Sequence, residues 1–273
     1  MTDSQTIAAP PRRPPDGCTV GRLPGNYVYI ARRLAELGVT GPVLDLGCGD
    51  GGAIAYLRRR GLDVAGCELP YREPELRRRF GAEVGDRIRL SSDPGTIPFG
   101  DAAFAAVFAN QVFEHVGPLP AIARECRRVL RPGGALIAPF PLRSTPIETH
   151  TYVPFVHWLT PPQREPYLRC WFALPFTQRG RPGSRTDIAA RVARYLNAET
   201  CYRSRREIEA MLREHFSAVS LDATPYVSTK LEVLAADGNA RFRLIARTLR
   251  CLPTAMVEWT FTYCVNASFV ATA

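Results

Sequence analysis

Short apolar runs alternate along the first half of the chain with segments whose apolar positions recur at helical spacing. Val43-Leu44-Asp45-Leu46, Leu62 to Glu68, Arg87 to Leu90, Phe104 to Ala109 and Ala135 to Phe140 read as five strands. The runs 43–46, 104–109 and 135–140 lack polar alternation, the mark of strands buried on both faces. Between them, 24–38, 53–60, 73–80 and 121–130 read as helices. Gly38, Gly61 and the Arg131-Pro132-Gly133-Gly134 turn supply stop signals. Strand and helix repeated in this way predict an α/β fold, doubly wound, with parallel strands and helices on both faces.

After residue 140 the pattern changes. Residues 141–203 are rich in proline and aromatics and predict a long irregular insert, of the kind that forms a lid or binding segment. Ser204-Arg205-Arg206-Glu207 opens a further helix with a capping box. Residues 218–223 and 266–273 read as a sixth and a last strand, and 229–250 as mainly helical with a break at 237–239. Pro10, Pro11, Pro14 and Pro15 among small and polar residues predict a disordered N-terminal arm over 1–20. The expected organisation is one domain over 21–273, with inserts 141–203 and 224–262 forming the acceptor pocket or lid.

The composition narrows the class. With 273 residues and 46% hydrophobic positions, the chain can bury a substantial core. The formal charge of +9 suggests nucleic acid at first, but Lys230 is the only lysine among 35 basic residues. The triplets 58–60 and 77–79 end helical stretches, where the helix dipole favours cations, so no nucleic-acid partner is expected. The eight cysteines form no C-x-x-C pair and no cluster with histidine, which argues against zinc and against a disulfide framework. A cytoplasmic protein is expected, with no secretory signal and no apolar run long enough to span a membrane.

Val43 to Gly51 carries the candidate chemistry. Gly47, Gly49 and Gly51 follow the first strand at alternate positions, and a helix follows them. Such a turn lets backbone approach a nucleotide at the carboxyl edge of a parallel sheet. It lacks the G-K-[ST] ending of a phosphate-cradling loop and the G-x-G-x-x-G spacing of a dinucleotide site. Asp45 before the turn disfavours pyrophosphate and suits a ligand bearing an amino group or a sulfonium. Glu68, at the end of the second strand, is placed to accept hydrogen bonds from two ribose hydroxyls.

With these motifs the chain resembles the class I S-adenosylmethionine-dependent methyltransferases, in their small-molecule, methyltransferase type 11-like branch. Residues 43–51 are similar to the family's first motif, and Glu68 to its ribose-binding acid. Asp93, ahead of Ile97-Pro98-Phe99, is similar to the acid near the adenine amino group. Asn110 to Val116 resembles the motif beside the reacting methyl, and Leu130 to Leu136 the turn into the fifth strand. Ala105 departs from the aspartate common after the phenylalanine. The resemblance implies a Rossmann-like seven-stranded sheet, mostly parallel, with an antiparallel last strand set beside the fifth. It implies S-adenosyl-L-methionine as cofactor and S-adenosyl-L-homocysteine as product, with Asp45, Gly47, Cys48, Gly49, Gly51, Glu68, Leu69, Asp93, Asn110 and His115 around the cofactor.

Methyl transfer needs an aligned nucleophile, and a hydroxyl acceptor must also lose a proton, for which histidine is suited. His150 and His157, early in the insert, and His115, after the fourth strand, are the candidate catalytic residues, and His215 reads as structural. The stretch 148–160 resembles a pattern in bacterial enzymes of this branch that accompany sugar or secondary-metabolite pathways. No tight carboxylate cluster stands out, so no metal site is expected. Arg164, Arg169, Arg179, Arg181 and Arg185 are available to an anionic acceptor or to water. The expected function is methyl transfer to a small molecule, on a hydroxyl of a secondary metabolite or sugar-containing intermediate, by a monomer or homodimer. The alternatives are transfer to nitrogen or carbon, or a protein that binds the cofactor without methylating.

Overall fold

The structure, a computed structural model, describes residues 25–174, 177 and 183–273. The arm expected over 1–20 lies outside the described residues, as do Arg179 and Arg181. The expected runs become β1 (Val43–Leu46), β2 (Val64–Glu68), β3 (Ile88–Leu90), β4 (Phe104–Phe108), β5 (Leu130–Phe140), β6 (Ala218–Leu221) and β7 (Ala267–Thr272). They form one sheet in the order β3-β2-β1-β4-β5-β7-β6. The pairings among β1 to β5 are parallel, and β7 runs antiparallel between β5 and β6. This is the expected fold class, with the last strand beside the fifth. The order turns back at β1 and β4, which makes the crevice outside their carboxyl ends the place for a ligand.

Alternation along the strands builds two cores. Leu44, Leu46, Ala65, Cys67, Val107 and Leu136 point to one face. There they meet α4 (Leu119–Val129) and α7 (Arg205–Arg213). Val43, Val64, Ala106, Phe108, Ile137 and Val270 point to the other. That face is covered by α1 (Gly25–Glu36), α2 (Gly52–Arg58), α3 (Glu73–Phe80) and Tyr226 of α8 (Ala223–Ala235). Helices on both faces leave only the strand ends open for chemistry.

The first predicted insert differs from the expectation. Residues 141–203 are not one irregular segment: they contain α5 (Pro161–Trp171) and α6 (Arg185–Glu199). Pro161 and Pro162 occupy the first turn of α5 behind the Thr160 cap, where the missing N–H is no loss. Ser184 and Asp187 cap α6 reciprocally. The two helices share a small core of their own, with Leu168, Phe172, Ile188, Val192 and Leu196 at its centre. The prolines thus start a helix instead of preventing one, and the aromatics partly serve this core.

The segment 224–262 is helical as well, as α8, α9 (Ala240–Arg250) and α10 (Thr254–Cys264). Asp222, just before α8, is buried and accepts hydrogen bonds from Tyr29 Oη at 2.5 Å and Arg33 Nε at 2.8 Å. A charged acceptor with two donors ties α8 to α1. A cleft of about 320 Å³ lies between α8, α9 and α10, lined by Val227, Leu231, Leu249 and Val257. Among the described residues no helix is long and apolar enough to cross a membrane.

Candidate functional site

The glycine turn leaves the carboxyl end of β1 with left-handed backbone at Gly47 (φ 69°), Gly49 (58°) and Gly51 (76°). A Cβ on Gly51 would lie 2.1 Å from the Phe80 ring, and one on Gly47 would lie 2.6 Å from Val112. Both positions are therefore closed to larger residues, by conformation and by space. A Cβ on Gly49 would meet nothing within 4 Å, so there the turn faces open space.

Three acids expected at the cofactor differ in environment. Glu68 closes the turn: its Oε2 accepts from Gly49 N at 2.6 Å and its Oε1 from Leu69 N at 2.8 Å. Burial raises its pKa, against the pull of these two bonds and the Arg72 charge. Each carboxylate oxygen keeps capacity for a further donor, as a ribose diol would supply. Asp45 is 2% exposed and its Oδ2 has no hydrogen-bond partner. Burial, then the charges of Glu68 and Asp50, push it well above the carboxylate range. A buried acceptor without a donor at the strand end is a place for a cationic or hydrogen-bonding ligand group. Asp93 turns back onto its own loop, accepting from Gly95 N at 2.8 Å.

Cys48 is buried beside the turn, and burial pushes its thiol up, which leaves it a neutral packing group. Asn110, past the end of β4, accepts at Oδ1 from Asn26 Nδ2 at 2.7 Å. Asn26 Oδ1 in turn accepts from Tyr226 Oη at 3.1 Å and from the Lys230 ammonium. Burial lowers Lys230 to about 8. The link from Asn110 to Asn26 and Lys230 was not visible in the sequence, because the three lie on separate elements.

The histidines expected to be catalytic are brought together in part. His115 follows β4 and His150 follows β5, so both lie at the same edge of the sheet. Their Nε2 atoms are 3.0 Å apart. His115 Nδ1 meets the carbonyl of Glu199 at 2.6 Å, and His150 Nδ1 meets Glu148 Oε1 at 2.8 Å. Glu148 is wholly buried and also accepts from Thr151 N, Thr151 Oγ1 (2.6 Å each) and Tyr202 Oη. Burial raises its pKa, but His150, Thr151 and Tyr202 together outweigh that and hold it near about 2.

His157 stands apart from that pair. It is buried on a short turn, with Nε2 3.2 Å from the Arg143 carbonyl and its ring 4.7 Å from that of Tyr202. Burial lowers its pKa. Of the candidate arginines, Arg164 is tied to Leu196 O at 2.9 Å and to Asn197 Oδ1 at 2.8 Å. Glu148, Tyr202 and Glu114 were missed as site residues. The spacing of Glu148 two places before His150 was the available signal; Tyr202 gave none. Glu114, His115 and His150 each place an atom that could bind a metal within 4.8 Å of the others.

Residues 44–138 match the family described as "Methyltransferase domain". A sterol 4-C-methyltransferase of Caenorhabditis elegans is 31% identical over 118 residues, 42% of this chain and 35% of that protein. A sarcosine/dimethylglycine N-methyltransferase of Halorhodospira halochloris is 34% identical over 40% of each chain. A ubiquinone biosynthesis O-methyltransferase of Xylella fastidiosa is 28% identical over 60% of this chain and 77% of that one. The chain thus spans less than half the length of the first two relatives. Among solved structures, a phosphoethanolamine N-methyltransferase of Haemonchus contortus shares the fold, with a TM-score of 0.50 at 14% identity over 91% of this chain and 52% of that one.

Residues 44–138 thus match a methyltransferase domain, set on a fold shared with a solved methyltransferase. The residues at the turn fit S-adenosylmethionine. The open face of Gly49, the unpartnered Asp45 oxygen and the spare acceptor capacity of Glu68 lie together at the end of β1 and β2.

Proposed function

We propose that this chain methylates a hydroxyl of a small-molecule acceptor, such as a secondary metabolite or a sugar-containing intermediate. The observation that carries this reading is the His115–His150 pair, fixed by Glu199 and Glu148 at the edge of the sheet that bears the glycine turn. Bound S-adenosylmethionine supplies an electrophilic methyl on a positively charged sulfur. The chain's own residues then have two tasks. Asp45, Gly47, Gly49, Gly51, Glu68 and Leu69 hold and orient the cofactor, with Asp93, Asn110 and Cys48 along the same edge. His115 and His150 receive and activate the acceptor hydroxyl, which without activation is a poor nucleophile at neutral pH.

Positioning supplies much of the rate in such a displacement. The pair is suited to it because Glu148 is held from four sides, so His150 has a fixed orientation. His157, packed behind Tyr202, supports the cluster instead of meeting the acceptor. The relatives include enzymes named for transfer to oxygen, nitrogen and carbon, so they support methyl transfer to small molecules without selecting the atom. The helical insert 141–203 and the neighbouring α8 are the elements proposed to border the acceptor.

The test is turnover with S-adenosylmethionine across hydroxyl-, amine- and carbon-acid-bearing small molecules, scoring S-adenosylhomocysteine and locating the new methyl by NMR. A methyl on oxygen is expected. A methyl only on nitrogen or carbon, or no S-adenosylhomocysteine with any acceptor, overturns the reading.

A further inference from the structure

The tautomers of His115 and His150 follow from their fixed partners. His115 Nδ1 faces a backbone carbonyl at 2.6 Å, and a carbonyl can only accept. The nitrogen on that side therefore carries the hydrogen. His150 Nδ1 faces Glu148 Oε1 at 2.8 Å. Glu148 already accepts from Thr151 N, Thr151 Oγ1, His150 N and Tyr202 Oη, so it too is an acceptor, and His150 Nδ1 donates. The partner on the far side of each ring sets its orientation.

If both Nδ1 atoms carry hydrogens, both neutral rings present a lone pair at Nε2. The two nitrogens that bear them lie 3.0 Å apart. Two acceptors at that distance repel unless something positive lies between them. A proton shared by the pair is one solution, and a metal ion bound to both is the other.

Three observations favour the metal. First, each imidazole donates its far N–H to a carboxylate or a backbone carbonyl, which is the arrangement that orients metal-bound histidines. Second, two donors each about 2.1 Å from one ion lie about 3.0–3.4 Å apart, the spacing the two Nε2 atoms already have. Third, Glu114 is 1% exposed, and one of its carboxylate oxygens is within 4.8 Å of both histidine donor atoms. Two imidazoles and one carboxylate suit a divalent first-row metal, with positions left for another ligand.

We propose that Glu114, His115 and His150 form a binding site for a divalent ion of the zinc and manganese class, open on one side to an oxygen ligand. The site stands on its own geometry. Its role in the reaction rests on the methyltransferase reading: an acceptor hydroxyl bound to the ion would lose its proton to water near neutral pH and present an oxyanion to the methyl. Glu148 is then a positioning residue that acts through His150.

The experiment uses the full chain, treated with chelator and titrated calorimetrically with ZnCl2 and, separately, MnCl2. One ion per chain is expected. His150→Ala and His115→Ala should abolish that binding, and Glu148→Gln should weaken it about 10- to 100-fold. Replacing zinc with cobalt should give visible bands that His115→Ala removes. Circular dichroism and thermal unfolding, read on each variant, show that the domain remains folded. No binding of either ion to the wild type, or equal binding by folded His115→Ala, overturns the metal site and leaves the shared proton. If the ion binds and no acceptor is methylated, the site stands and the proposed function fails instead.

Discussion

Two parts of the crevice at the carboxyl ends of the strands, the cofactor edge around the glycine turn and the proposed acceptor edge around His115 and His150, are built differently. At the cofactor edge, polar groups are matched to backbone just past the strand ends, as Glu68 is to Gly49 N and Leu69 N. Most of those residues fall within 43–69. At the acceptor edge, polar groups are matched to one another across segments far apart in the chain. His115 bonds Glu199, 84 residues away, and Tyr202 bonds Glu148, 54 residues away. The first edge depends on local conformation and the second on the docking of α5 and α6. Damage at the first should therefore remove cofactor binding, and damage at the second should remove turnover while cofactor binding survives.

The largest effect is expected at Gly51. Gly51→Ala would place a Cβ 2.1 Å from the Phe80 ring at a φ of 76°. Strain and overpacking together should cost about 2–4 kcal/mol of stability and abolish measurable S-adenosylhomocysteine binding. Thermal unfolding and calorimetry read the two consequences. An alanine variant that binds the cofactor normally would show that the turn is not the binding element.

The next effect lies at the other edge. His150→Ala should lower turnover by about 100-fold or more and leave S-adenosylhomocysteine affinity within about twofold. A parallel loss of cofactor affinity would mean that the two edges are not separate. Glu68→Gln sharpens the same contrast in the opposite sense. It keeps the shape but removes the charge that strengthens bonds to Gly49 N and to a ribose, so cofactor affinity should fall about tenfold. The acceptor-dependent step, measured at saturating cofactor, should change little.

The same contrast explains what could be read from the sequence. The strands and the glycine turn were legible because each depends on neighbours within a few residues or on alternation along a strand, whereas the place of the last strand beside the fifth was implied only by the family resemblance. The helices α5 and α6 were not, because proline at a first turn and proline in a loop look alike until the Thr160 cap is placed. His115 and His150 were legible as candidates one at a time. Their contact, and the approach of Glu114 and Tyr202, depend on the insert folding back over the edge of the sheet. No periodicity encodes that.

The smallest effect is expected where the two edges meet, at Lys230. Its ammonium is bonded to Asn26, which holds Asn110. Burial lowers its pKa from 10.5 to about 8. Between those two values the unfolded chain binds a proton that the folded chain does not, so stability should rise with pH across that window. Below about 8 both states are protonated, and the desolvated ammonium is a standing cost. The side chain is only partly buried by surface area, and its stem lets the charge lean toward water, so the cost should be under about 1 kcal/mol. Lys230→Met should remove the rise, seen as a flatter difference in unfolding midpoint between pH 7.5 and pH 10 relative to wild type. If the variant keeps the full rise, the ammonium is solvated, and the Asn26 link is a surface contact. If the rise disappears and cofactor affinity is unchanged, Lys230 belongs to the acceptor edge, although its helix packs against the same face of the sheet as the cofactor turn.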